Sequence, residues 1–428
     1  MDHRAAAHAH PAFWDDESHL PGHVDIEVTA AAGSVLTLRS GKRLIDAASG
    51  HSCVNLGYAN EELIEAAAQS YQRLAYCSPE HRCRPVAELS ERLRDLLGGF
   101  HRLRYATTGG GANELAIEIA RRHWRHRGRA GKRHILALDR AYHGSTGAAS
   151  YASGPGILQS PHADRSDEFD HLPGARDPEA GLSRDLTTLE AALSARIAAV
   201  GSDRIAALIV EPVAFAGGVV VPPPGTLATI AGLCRRHDVL LIVDEVITGF
   251  GRSGRWFAHQ WDETVRPDIV TMAKGITSAY FPLAAAAVSE EIHESFRTPG
   301  NAMSKIITMA GHPVGCDIAL KVIEIMARDG LVERVRRNAD GVLARLSALI
   351  DAPGVRHVRG LGHMWGIEYD GGRAGGTPAT ERVAARCFDA GVLVLQADNL
   401  IRINPPLTAT DGELAQIVET LSAAVRAR

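Results

Sequence analysis

Residues 239–274 read VLLIVDEVITGFGRSGRWFAHQWDETVRPDIVTMAK, and this stretch decides the fold. Two short apolar runs, 239–248 and 268–273, each carry a charge at a strand end: Asp244 closes LLIVD, and Lys274 follows DIVTMA. Continuous rather than alternating hydrophobicity describes strands covered on both faces. A carboxylate or ammonium placed there is costly to bury unless it is paired, hydrogen-bonded or discharged. Lysine is also scarce. Among 46 basic residues the others are Lys42, in a turn-like stretch, Lys132, just before an apolar run, and Lys305 and Lys321, which read as loop or helix-surface positions. Taken alone, Lys274 is equally well explained as an ordinary ion pair or a head group reaching water.

Outward from this stretch the same pattern repeats. HILALD (134–139), IAALIVEPV (205–213) and LAAAAVS (283–289) read as buried strands, with helical patterns such as DLTTLEAALSARIAAV and GTLATIAGLCRRHD between them. This alternation predicts an α/β protein with a mostly parallel sheet covered by helices. The polar segment 160–180 reads as a surface loop. From about residue 300 the character changes to long helical periodicity (316–350), then short strands such as MWGIEYD. The expected division is a large domain over 60–300 and a smaller α+β domain formed by 1–59 together with 301–428.

A chain of 428 residues with 45% hydrophobic and 22% charged residues is an ordinary globular composition. A formal charge of −4 gives no reason to expect nucleic acid or an anionic membrane as partner. The six cysteines form no CxxC pair and suggest neither a zinc site nor a disulfide framework, so free buried thiols are expected. No apolar run approaches the ~20 residues that span a bilayer, and the N-terminal residues lack a signal-peptide apolar core. The expectation is a soluble cytoplasmic protein. His3, His8 and His10 read as a solvated terminus rather than a metal site.

In open parallel sheets ligands sit beyond the C-terminal ends of the strands. That rule joins four features into one candidate site. Asp244 and Lys274 are two. The third is TTGGGAN, where Thr107 to Gly111 make a glycine-rich turn into a helix, a place whose free N–H groups suit a phosphate. The fourth is AYHGST, with Tyr142 and His143 directly after a strand, an aromatic that can stack on a flat ring. Each has a bland alternative: a plain helix start, a half-buried tyrosine. One cofactor uses all four together. Pyridoxal 5'-phosphate has a phosphate, a planar ring, a ring nitrogen that an anion keeps protonated, and an aldehyde that a lysine captures as a Schiff base.

LLIVDEVITGFGRSGRWFAHQ followed by PDIVTMAKGITSAYFPLAAAAVS resembles the signature of the class III pyridoxal-phosphate aminotransferases. These are fold-type-I enzymes that act on ω-amines, ornithine, acetylornithine and 4-aminobutyrate. The likeness extends over GKRLIDAASGHSCVNLGYANEEL, VEPVAFAGGVVVPPPG, AGHPVGCDIALKVIEI, VRGLGHMWGIE and IRINPPLT, nearly the whole chain. It implies a large domain with a mostly parallel seven-stranded sheet, plus the smaller α+β domain. It also implies residue roles. Asp244 meets the ring nitrogen, Lys274 carries the Schiff base, and Val246 packs on the ring face opposite Tyr142. His143 belongs to the cofactor site, and the backbone of Gly109 and Gly110 holds the phosphate. Thr308 reaches the phosphate of a neighbouring subunit, so a homodimer with shared sites is implied. Arg402 grips a substrate carboxylate.

The chain also departs from the family. Gly111 stands where a glutamate is usual. Ser52, beside His51, replaces an aromatic of the ω-amine enzymes. Ala216 replaces the glutamate that neutralises the gripping arginine in ornithine- and 4-aminobutyrate-type enzymes, and Phe215 adds an aromatic wall. Met309 and Ala310 replace a usual tyrosine and serine. These changes point away from ornithine and 4-aminobutyrate. They point to a specialised transaminase that moves an amino group between a small amine or amino acid and an oxo acid or aldehyde. An epimerase or racemase, an aminomutase or a decarboxylating enzyme on the same scaffold stays open as an alternative, as does a binding protein that keeps the fold without turnover.

Overall fold

The strands Ile205–Val210 and Leu240–Asp244 are buried at every position, because their side chains alternate between two covered faces. In the computed structural model, which describes residues 26–99, 101–155, 166–173, 185–303, 307–371 and 378–427, one face packs Ile209, Ile242 and Ile269 beneath Leu115, Ile119 and Trp124 of the helix Gly109–His126. The other packs Leu208, Leu241 and Val243 against Leu189, Leu193 and Ile197 of the helix Leu186–Val200, and against Ile230 and Leu233 of the helix Thr226–Arg236. Each such aliphatic side chain contributes roughly 1.5–3 kcal/mol when fully buried.

The central sheet has seven strands in the spatial order His101–Ala106, Ala284–Ser289, Ile269–Met272, Leu240–Asp244, Ile205–Val210, His134–Leu138, Phe169–Leu172. Ala284–Ser289 runs antiparallel to both neighbours, and the remaining ladders are parallel. The reading of 160–180 as a loop is therefore overturned in part. Phe169–Leu172 is an edge strand, paired Ile135 to Phe169 through Leu138 to Leu172, while 160–165 and 174–180 lie outside the described residues. Its sequence, FDHL, makes no apolar run because an edge strand is only half covered, and Asp170 turns outward to pair with Arg196. The other edge, HRLRYA, carries charge for the same reason.

C-terminal to the sheet come the helices Pro313–Arg328 and Leu331–Ser347. An antiparallel sheet follows, ordered Val355–Gly360, Trp365–Tyr369, Leu400–Ile403, Leu395–Ala397. A second four-stranded sheet joins Val28–Ala32, Val35–Leu38 and Arg43–Asp46 to Val392–Leu393, the last pair in parallel.

Among the described residues Lys132, not Lys274, is the fully buried lysine. It is 1% exposed. Its Nζ donates to the carbonyls of Ser202, at 3.0 Å, and of Asp238. It also stands 4.2 Å from the Trp124 ring centroid. Burial pushes its pKa down to about 8. All six cysteines are free, but only Cys234, Cys316 and Cys387 are buried. Among the described residues no helix is long and apolar enough to cross a membrane. His3, His8 and His10 lie outside the described residues.

Candidate active site

Five segments end at one edge of the central sheet, and each delivers a functional side chain or amide there. Asp244 closes Leu240–Asp244, Glu211 follows Ile205–Val210, and Lys274 follows Ile269–Met272. Tyr142 and His143 follow His134–Leu138, and the turn Thr108–Gly110 follows His101–Ala106. These groups line a single cavity of about 360 Å³, together with Asn113, Val246 and Ile247.

Asp244, 3% exposed, is held by three donors. Its Oδ2 lies 2.7 Å from Asn113 Nδ2 and 2.7 Å from His143 Nδ1, and its Oδ1 accepts the Val246 amide at 3.0 Å. Asn113 is fixed in turn. Its Nδ2 also donates to the His143 carbonyl at 2.7 Å, and its Oδ1 accepts the Thr271 hydroxyl at 2.7 Å. The His143 carbonyl and the Asp244 carboxylate, both acceptors, therefore fix which end of the amide faces Asp244, and the Thr271 hydroxyl satisfies the other end. Three donors stabilise a negative carboxylate in a dry site. Neighbouring Glu211 is also buried. Burial first, and then the charge of Asp244, push its pKa well above the usual carboxylate range. Its Oε1 accepts the Tyr142 amide at 2.9 Å.

Lys274 adopts φ 49°, unusual for a non-glycine residue. The next position has to be glycine, since a Cβ on Gly275 would stand 2.4 Å from Asn55 Nδ2. The Lys274 Nζ donates to the His51 carbonyl at 2.7 Å. Burial pushes its pKa below the ordinary lysine value, opposed by Cys53, Asp244 and Glu211 and reinforced by the positive charge of Arg402. A lysine with a depressed pKa holds more free amine near neutral pH, the form that attacks a carbonyl.

At the other end, Thr108 caps the helix Gly109–His126 by accepting the Gly111 amide at 3.0 Å. The turn is thus closed without a glutamate at position 111. Among the described residues the Gly109 and Gly110 amides have no acceptor, so two N–H groups and a positive helix end face the cavity. A Cβ on Gly109 would meet Val246 Cγ1 at 2.8 Å, so only glycine lets the turn approach this closely.

Other expected residues lie elsewhere. Ser52 is buried at φ 61°, and His51 offers its carbonyl to Lys274 while the residue is exposed. Arg402, on the strand Leu400–Ile403, stands with its Cζ 5.5 Å from the Phe215 ring centroid. Ala216 is the next residue of that turn. Thr308 does not reach the cavity of its own chain. It is exposed, and its carbonyl accepts the Tyr76 hydroxyl at 3.1 Å.

Sequence reasoning did not single out Asn113, Thr271 or Glu211. Glu211 carried the same signal as Asp244, a carboxylate after six apolar residues. Asn113 was a polar residue among Ala112, Ala116, Ile117 and Ala120 on the buried face of a helix. Pyridoxal phosphate fits this donor set. The unpartnered amides suit its phosphate, the Oδ1 of Asp244 has room for a ring N–H, and Lys274 supplies an amine.

The comparisons agree with that fit. The family model described as Aminotransferase class-III matches residues 18–425. An uncharacterized aminotransferase, YhxA, of Bacillus subtilis (strain 168) is 36% identical over 91% of this chain and 90% of its own. A taurine–pyruvate aminotransferase of Bilophila wadsworthia is 33% identical over 94% of this chain and 92% of its own. A putrescine–pyruvate aminotransferase of Pseudomonas aeruginosa is 29% identical over 94% and 92%. Among solved structures, a thermostable (S)-enantioselective omega-transaminase from Thermomicrobium roseum superposes with a TM-score of 0.91 at 34% identity, covering 98% of this chain and 96% of that one. An amine transaminase from an uncultivated Pseudomonas species, in the PLP-bound form, gives a TM-score of 0.90 at 31% identity, covering 97% and 98%.

The Thr271–Asn113–Asp244 relay makes a sharp prediction. Thr271→Val, which keeps the shape and removes the hydroxyl that anchors Asn113, should weaken pyridoxal phosphate retention about tenfold, the worth of one hydrogen bond, and Thr271→Ser should restore it. Cofactor loss on dialysis, followed by absorbance, measures this. Wild-type retention in Thr271→Val would show that the hydroxyl does not support the amide.

Proposed function

The chain belongs to the class-III aminotransferase family, and from that premise we propose how its own residues divide the work. It is a pyridoxal-phosphate-dependent transaminase that moves an amino group between an amine or amino acid and an oxo acid or aldehyde. The family and the named relatives favour transfer over epimerisation, aminomutation or decarboxylation. When bound, the cofactor supplies an aldehyde that exchanges amines and a ring that takes up the electron pair left when a C–H bond ionises.

The residues do the rest. The Gly109 and Gly110 amides hold the phosphate, and Tyr142 and Val246 cover the two ring faces. Asp244, steadied by His143 and Asn113, keeps the ring nitrogen protonated. Lys274 meets the aldehyde, and its Nζ takes the proton from the substrate carbon and returns it. One observation carries this reading: Asp244 and Lys274 face one cavity whose rim holds two unpartnered amides. Arg402 receives the carboxylate of the substrate, with His51, Ser52, Phe215 and Ala216 shaping the pocket around it. The relatives named for pyruvate support a small α-oxo acid as acceptor.

Two copies share the sites in this proposal, with Thr308 serving the neighbour's phosphate. Supporting it, Thr308 is exposed beside exposed Ile307, Met309 and Tyr76, an apolar patch that a second copy would cover. The large unit 60–300 would carry the cofactor. The unit 1–59 with 301–428 would be tied together by the pairing of Arg43–Asp46 with Val392–Leu393. Six free thiols support a reducing, cytoplasmic location, which fractionation of the source cell would check.

Four outcomes test these assignments. Purified protein given pyridoxal phosphate should absorb in the near-visible and be bleached by an amino donor alone. Lys274→Ala should lose that absorbance on dialysis, and a variant that stayed yellow would remove Lys274 from its role. Arg402→Ala should raise KM for an α-oxo acid by about 10–100-fold, the range for a charge-assisted bidentate contact, while an amine lacking a carboxylate suffers far less. Equal losses reject the carboxylate role. Met309→Glu should convert a sedimenting dimer into an inactive monomer, and an active wild-type monomer would sink the shared-site idea.

A further inference from the structure

Arg402 makes no ion pair among the described residues, and its Nε has no hydrogen-bond partner. What it has is the ring of Phe215. A ring on one face of a guanidinium attracts the cation while leaving the in-plane N–H groups free for a two-pronged anion. The question is what keeps Phe215 there.

Phe215 opens a tight turn, closed by reciprocal hydrogen bonds between Ala214 and Val220 at 3.2 and 3.0 Å. Inside it the Val219 amide donates to the Phe215 carbonyl at 3.0 Å. Val219 has φ 52°, a strained conformation for a β-branched residue that persists only where the surroundings impose it. The surroundings here are explicit. Arg359, on the strand Val355–Gly360, directs Nε to the Gly218 carbonyl at 2.8 Å and to the Val219 carbonyl at 3.1 Å. Its Nη1 donates to Glu368 Oε2 at 2.7 Å, and Glu368 is 4% exposed. Arg140 donates to the Gly217 carbonyl at 3.3 Å from the other side.

The same sheet carries both partners. Gly366 lies opposite Arg402 in the ladder between Trp365–Tyr369 and Leu400–Ile403. A Cβ on Gly366 would stand 3.1 Å from Val219 Cγ2, so the turn docks directly over the cross-strand neighbour of Arg402.

We propose that Arg359 acts as a positioning residue that clamps the turn 215–219 onto this sheet, and that Phe215 determines specificity by resting against Arg402. Among the described residues the arginine then makes no ion pair, although the charge of Asp398 acts on it, and the ring keeps it from wandering. The site presents a preset receptor for substrates with a carboxylate or a comparable anionic head group, with no internal ion pair to break first. This inference rests on the proposed carboxylate role of Arg402.

The test uses the holoenzyme and two substrates, an α-oxo acid and an amine without a carboxylate. In a two-step exchange each substrate's kcat/KM reports its own half-reaction. Phe215→Leu and Arg359→Met should each lower the ratio of kcat/KM for the oxo acid to that for the amine by about tenfold. The double variant should fall no further than the worse single one, because both act through one contact. A merely structural loss would lower both substrates together and leave the ratio in place. A ratio within about twofold of wild type in both single variants, or a double loss equal to the product of the two, overturns the proposal. If Arg359→Met does not accumulate as folded protein, Phe215→Leu alone decides the role of the ring and Arg359→Lys that of the clamp. Arg402→Ala separates the two levels. If it leaves the ratio unchanged, the carboxylate role fails and this inference with it. If it lowers the ratio while Phe215→Leu does not, only the present inference fails.

Discussion

A buried carboxylate with every donor accounted for is the constraint around which this molecule is arranged. Asp244 sits at the end of a strand with no exposed residue, where a lone negative charge would be expensive. Asn113, His143 and the Val246 amide remove that expense. Their positions require the helix Gly109–His126 to cross the sheet where Asn113 faces inward. Thr271, one strand over, satisfies the other end of that amide. The same helix starts at the glycine turn. The anion-binding end and the Asp244 end of the cavity are therefore set by one rigid element.

Some of the conformational cost falls at this cavity. Lys274, which lines it, has positive φ without being glycine, as do Ser49, Ser52 and Val219 outside it, and glycine occupies positions 109 and 275 where a methyl group would collide. Strained backbone survives where packing over-determines it. Here the determinants are visible: Asn55 and Phe250 crowd Gly275 beside Lys274, and Arg359 with Gly366 hold Val219. Binding groups set by rigid packing do not have to be ordered when a substrate arrives.

How much of this was legible in the sequence varied with location. Central strands announced themselves because both faces are covered, so IAALIV and LLIVD are apolar throughout. Edge strands did not, because HRLRYA and FDHL carry the charges of a half-covered element. Lys132 drew no attention in the sequence because nothing local reveals that two carbonyls and the Trp124 ring wait beneath it. The bare carboxylates at strand ends were readable in principle at both 211 and 244. Only the three-dimensional neighbours distinguish them, three donors around Asp244 and burial beside a second carboxylate for Glu211.

By itself the sequence determined the α/β class, the chemistry-bearing motifs at strand ends and the family resemblance, since run length, glycine turns and ordered motifs are properties of short segments. Tertiary structure decided which partner each buried group received. Asn113 meets Asp244 across 131 residues, and Arg359 meets Gly218 across 141. Contacts at that separation depend on how helices and sheets pack, and no local pattern encodes them.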